Sequence, residues 1–180
     1  MKSLVATIGL LAMLVMPFEA VRADTAKEIE AGVNASLEVF REQVPGGDQL
    51  LDASKAALVF PNLVEGAFIF GAEYGEGALV RGGSMDSYYS LYSASFGFQA
   101  GAQSKSLVLL FMEEEALKTL MDRKGWEIGA DLEVAVIGEG VSGEVSSTTF
   151  DQPVVAVVFR QQGLLAGVSL SGAKITRLKR

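Results

Sequence analysis

Gly138-Glu139-Gly140-Val141-Ser142-Gly143 carries the strongest outward sign of chemistry, a G-x-G-x-x-G pattern directly after the apolar run Val134 to Ile137. A dinucleotide fingerprint needs its third glycine to open a helix whose N-terminus meets pyrophosphate, and an acid about 20 residues on for the ribose. Here the pattern runs into Glu144-Val145-Ser146-Ser147-Thr148-Thr149-Phe150, a β-branched stretch, and no acid follows Asp151. Glu139 would also face the phosphates. The expectation is a glycine-rich hairpin and no cofactor. Gly71-Ala72-Glu73-Tyr74-Gly75-Glu76-Gly77 is likewise no P-loop, because it lacks the Gly-Lys-Ser/Thr ending that meets phosphate and magnesium. Its glycines read as structural, with Glu73 and Glu76 solvated.

Nucleophilic catalysis is constrained by composition. The chain has no histidine and no cysteine, so a Ser-His-Asp triad, a Cys-His pair and imidazole-bound zinc are excluded within it. Ser84, Ser87, Ser90 and Ser93 stand without a lysine at a recognisable spacing and read as surface or turn residues. Two acids across a glycosidic bond suffice for a sugar-polymer hydrolase. Glu73 with Glu76, or Glu139 with Glu144, could meet only through folding, and Glu113-Glu114-Glu115 fits the acidic first turn of a helix. No loop motif for a hard cation is present, so no metal site is expected.

Binding chemistry has two candidates. Lys174, Arg177, Lys179 and Arg180 form a basic tail without an intervening acid, on a chain of net charge -7. Each such cation contributes about 1 kcal/mol near an anionic membrane. Phe68, Phe70, Tyr74, Tyr88, Tyr89, Tyr92, Phe96 and Phe98 crowd the central third. Alternate residues of a strand share a face, so these rings either fill a core or line a lipid-water boundary. The acidic balance argues against nucleic acid.

The elements that position these groups begin after residue 23. Lys2, the uncharged apolar run Leu4 to Met16 and Val21-Arg22-Ala23 have the order of a signal peptide. That run is shorter than the roughly 20 residues of a membrane span. The expectation is an exported chain, periplasmic or secreted, cleaved near Ala23 to leave one domain over 24–180. Without cysteine it can carry neither a disulfide framework nor a lipid-modified cysteine.

Asp24 to Gln43 has helical spacing at Ile29, Val33, Leu37 and Phe40, with a Thr25/Glu28 capping box and a stop at Pro45-Gly46-Gly47. A second helix is expected from Asp48. Ala57 to Gly83 reads as a strand, a glycine-bent turn and a return strand, and Gly82 to Ser87 as a loop. Tyr88 to Gln103 and Leu107 to Phe111 follow as strand-like runs, Glu113 to Met121 as a helix, and Val134 to Ile137, Val154 to Phe159 and Leu164 to Leu170 as short strands. Gly71/Gly75, Gly97/Gly101 and Gly163/Gly167 repeat a four-residue spacing that suits sharply coiled strands.

Val59-Phe60-Pro61, Gly66-Ala67-Phe68, Gly71 with Gly75-Glu76-Gly77, Phe96 to Ala102 and Gly163 to Gly172 stand in an order that resembles the SYLF domain family. That resemblance implies a lipid-binding module. Eukaryotic relatives bind phosphoinositides partly through an N-terminal amphipathic helix, some fungal relatives bind and bundle actin, and bacterial relatives are typically exported. The counterpart of the membrane helix would be Asp24 to Gln43.

Residues and resemblance together lead to an α+β domain, a curved antiparallel glycine-rich sheet in a small barrel or sandwich with N-terminal helices at one edge. The expected function is non-enzymatic docking on an anionic phospholipid membrane through Lys174, Arg177, Lys179 and Arg180 with help from aromatics. The alternatives are a periplasmic protein that binds another envelope protein and a carboxylate-based hydrolase of cell-wall polymer.

Overall fold

The computed structural model describes residues 23–131, 134–138, 147–163, 170 and 172–180. Helix α1 spans Ala26–Gln43. Thr25 Oγ1 accepts the Glu28 N–H at 3.3 Å while Glu28 Oε2 accepts the Thr25 N–H at 2.7 Å, so the expected capping box forms. Its 3.6-residue periodicity buries Ile29, Val33, Leu37 and Phe40. Helix α2, Gly47–Ala53, follows at once.

Two strands then dominate the molecule. Strand β1 is Ala56–Arg81 and β2 is Ser84–Phe111, paired antiparallel along nearly their whole length. Only Gly82 and Gly83 connect them, with φ of 57° and 79°. Positive φ at both central residues matches the right-handed strand twist, and glycine accepts it without steric cost. The sequence-based expectation of a hairpin within 57–83 is therefore corrected. Its glycines lie inside one continuous strand, the turn comes at its end, and 84–87 belong to the partner strand.

The far edge of β2 is shared. Strand β6, Lys174–Leu178, pairs with Tyr88 to Tyr92, and β5, Val154–Gly163, pairs with Gln103 to Phe111. Strand β3, Gly125–Glu127, lies outside β6, and β4, Ala135–Gly138, lies outside β5. Helix α3 (Glu114–Asp122) precedes β3, and a four-residue α4 (Ser147–Phe150) precedes β5. The sheet curls into a half-barrel. The α+β expectation holds, with one amendment: β4 runs parallel to β5, so the sheet is mixed.

The curl is visible in what two glycines touch. A Cβ on Gly77 would stand 2.1 Å from the Val59 carbonyl oxygen, and one on Gly75 would stand 2.5 Å from that of Asn62. Contacts that short are impossible, so β1 returns against its own beginning only because these positions lack side chains. Two bulges sharpen the bend. Pro61 and Asn62 of β1 together face the single Ser106 of β2, where Phe60 and Leu63 oppose Leu107 and Lys105. Across β2, Arg160 with φ 55° sits where Ser104 and Ser106 oppose Gln162 and Phe159. Proline has no N–H to give a ladder, and the bulge is where it does no harm.

Apolar side chains fill both faces. One core gathers Leu58, Phe60, Leu79, Leu91, Leu109, Trp126 and Ile175. The other packs α1 through Ile29, Val33 and Phe40 onto Val59, Ala78, Val108 and Val157. Phe40 and Phe159 meet edge to face at 5.4 Å.

Candidate functional site

The first half of α1 overhangs the middle of β1, and between them lies a groove of about 680 Å³. Ile29, Gly32, Pro61, Val64, Ala72 and Tyr74 form its walls, with Asp24, Glu28 and Glu76 at one side. The groove exists because α1 covers only part of that sheet face. Tyr88, beneath the helix, donates its O–H to Glu30, and that carboxylate holds the phenol above its ordinary pKa. Further along the face, no helix covers the strands among the described residues.

Pleating decides which residues are left open. Tyr74 opposes Tyr92 across β1 and β2, and Tyr92 opposes Lys174 across β2 and β6. Opposed residues point to one face, so Tyr74, Tyr92 and Lys174 form a row, with Ala72, Ala94 and Phe70 in the rows beyond. Phe70 is 71 % exposed, Tyr92 51 % and Val64 51 %. These exposed apolar side chains share one face of the sheet.

Charge is handled in two buried knots. Lys105 Nζ stands 2.8 Å from Glu73 Oε1, with the side chains 2 % and 3 % exposed, and Ser93 also donates to Glu73 at 3.3 Å. The paired bulges turn Lys105 inward, and Ser106 beside it donates to the Pro61 carbonyl at 2.7 Å. Glu76 accepts from Arg180 at 2.6 Å, from the Tyr74 hydroxyl at 2.7 Å and from the Asp24 N–H at 3.1 Å. Burial first, then that hydrogen bond to Glu76, pushes the Tyr74 phenol up to about 12.

These knots correct two readings of the sequence. Glu73 and Glu76 are buried and neutralised, not solvated. Their odd spacing sends them to opposite faces of β1, each to its own cation, so they do not make a hydrolytic pair. Glu114 is bonded to Arg81 at 3.0 Å at the start of α3. Glu139 and Glu144, the G-x-G-x-x-G residues Glu139 to Gly143, and Leu164 to Ser169 lie outside the described residues.

The basic tail is dispersed. Lys174 is exposed on the Tyr92 face, 4.0 Å from Glu127. Arg177 opposes Tyr89, one face over, and is exposed there. Lys179 is exposed, while Arg180 is drawn onto Glu76. The tail as a whole is structural: Ala173 and Ile175 are buried, and β6 lies between β3 and β2. Lys105 was missed because Gln103-Ser104-Lys105-Ser106 is polar in composition.

Curled hairpin, overhanging helix and exposed aromatic row define an α+β domain with a groove beside that row. A family model described as "Ysc84: Las17-binding protein actin regulator" matches residues 92–180. Residues 92–180 thereby belong to the SYLF domain family, which is known for lipid binding and actin regulation. No curated protein matches the chain. The match begins at Tyr92 and takes in β5 and β6. No described helix is long and apolar enough to cross a membrane.

Proposed function

We propose that this chain is a non-enzymatic phospholipid-binding protein of a bacterial envelope that docks on anionic membranes through its bare aromatic face. The observation that carries this reading is the row of Tyr92 and Lys174, with Phe70 beyond it, beside the apolar groove. Family membership supports it. The documented handling of Glu73 and Glu76 leaves these acids to hold the fold together.

Magnitudes assign the roles. Full burial of a ring the size of Phe contributes about 1.5–3 kcal/mol, against about 1 kcal/mol for each cation near an anionic surface. The chain's net charge of -7 opposes approach at long range, and salt screens it beyond about 8 Å at physiological ionic strength. Phe70 and Tyr92 therefore supply affinity. Lys174, on that face, orients it toward phosphate, Arg177 stands on the other face, and Arg180 acts from inside by holding Glu76.

Flotation with phosphatidylglycerol vesicles tests this. Phe70→Ser with Tyr92→Ser is expected to weaken binding about tenfold or more, and neutralising Lys174, Arg177 and Lys179 to glutamine by less. Deleting residues 173–180 is the wrong control, since it removes an interior strand. Unchanged flotation of the aromatic double variant, with its thermal midpoint intact, overturns the assignment of the face.

A further inference from the structure

Glu76 joins parts of the chain that are far apart in sequence. Its side chain is 3 % exposed and receives the Arg180 guanidinium, the Tyr74 hydroxyl and the main-chain nitrogen of Asp24. Arg180 is an ordinary tertiary contact and Tyr74 a neighbour two residues away on the same strand. The third stands directly after Val21-Arg22-Ala23, where the sequence places a leader cleavage point. In the uncut chain that nitrogen is a peptide amide with one hydrogen and no formal charge.

We infer that Glu76 is a receptor site for an α-ammonium group, the new N-terminus released when the Ala23–Asp24 bond is hydrolysed. The inference rests on the reading of residues 1–23 as a signal peptide. A leader peptidase adds one water across the bond: the hydroxyl goes to the Ala23 carbonyl carbon and the proton to the Asp24 nitrogen. At neutral pH the products are a carboxylate on the departing segment and an ammonium on Asp24. The nitrogen already lies 3.1 Å from Glu76 Oε2, so cutting turns an existing neutral hydrogen bond into a charge-assisted one without moving the chain.

The surroundings suit a cation. Asp24 and Glu28 from the start of α1 line the groove together with Glu76 and Tyr74 from β1, and Arg180 is the one cation paired with Glu76 among the described residues. The carboxylates of Asp24 and Glu76 both lie at this side of the groove. Ala23 and Asp24 are both exposed, which leaves the bond open to a peptidase. Processing thereby fixes one wall of the groove: uncut, the clasp on Glu76 holds one formal cation, and cut, it holds two.

Sign and window follow from linkage. An unpartnered α-amine titrates at about 7.7–8.0. Gaining a carboxylate raises the folded value, so the stabilisation is complete below about pH 8 and is lost as pH rises through the folded pKa. The test uses protein exported with its leader and purified from the envelope. Intact mass and N-terminal sequencing read the first residue, and the pH profile of α-amine acylation gives its pKa. The same profile is taken for a form that begins at Ala23, in which the Asp24 nitrogen stays an amide, and for Glu76→Gln.

Expected is a start at Asp24, an α-amine pKa raised by about one unit or more, equal to a tenfold change in proton affinity, and an ordinary value in the other two forms. The Asp24 form should also lose more thermal midpoint between pH 8 and 10 than the Ala23 form, a readout that survives if Glu76→Gln fails to fold. A start at Asp24 with an ordinary pKa equal in both forms overturns the receptor site alone. A start elsewhere overturns the processing reading and the inference with it.

Discussion

The two ends of the β1–β2 hairpin and its middle are built from the same kinds of residue and use them in opposite ways. At the ends, glycine is compulsory: Gly75 and Gly77 press against the carbonyls of Asn62 and Val59. In the middle, a Cβ on Gly66 would meet nothing within 4 Å. Aromatics divide likewise. Tyr89 and Phe60 are buried where the hairpin closes, while Phe70 and Tyr92 are bare where it opens. Residue type alone does not separate structure from surface on a curled strand. The position of each residue along the curl does.

The comparison breaks most visibly at the buried ion pair. Lys105→Met should strand the Glu73 carboxylate and destabilise the fold by about 3–5 kcal/mol, as removing one partner of a buried pair does. Adding Glu73→Leu should recover much of that loss in denaturant melts. If the single and double variants melt alike, Lys105 does not hold Glu73. Next comes Gly77→Ala, expected to cost about 1–3 kcal/mol because backbone, not a flexible side chain, must yield.

A smaller and different effect is spectroscopic. Ultraviolet titration should find a tyrosine near pH 12, Tyr74, and Glu76→Gln should bring it down toward the ordinary value of about 10. Because the folded pKa is raised, the contribution of this phenol is present below about pH 10 and is lost as pH climbs through 12. Smallest of all, Gly66→Ala should change stability by no more than about 0.5 kcal/mol, the ordinary range for surface substitutions. A Gly66→Ala penalty as large as that of Gly77→Ala would erase the distinction between ends and middle.

Local signals in the sequence were accurate where the physics is local. The Thr25/Glu28 box and the apolar spacing through Phe40 specify α1 within a few bonds of each residue. The glycines were rightly read as devices for curling strands, yet their place was misjudged, since Gly71 to Gly77 resembles a turn until Gly82-Gly83 is known to supply one. Glu73 and Glu76 read as solvated acids because their partners lie 32 and 104 positions away. Such pairings follow from register, and composition does not carry register. The basic tail was legible as charge, but its division between two faces and Glu76 emerged only with the pleat of β6.

One consequence of the strand order concerns time. β6 is made last, yet its Ile175 is the cross-strand neighbour of both Leu91 and Trp126. A nascent chain that has not yet reached Lys174 therefore lacks the strand that flanks Leu91 and gives β3 its neighbour.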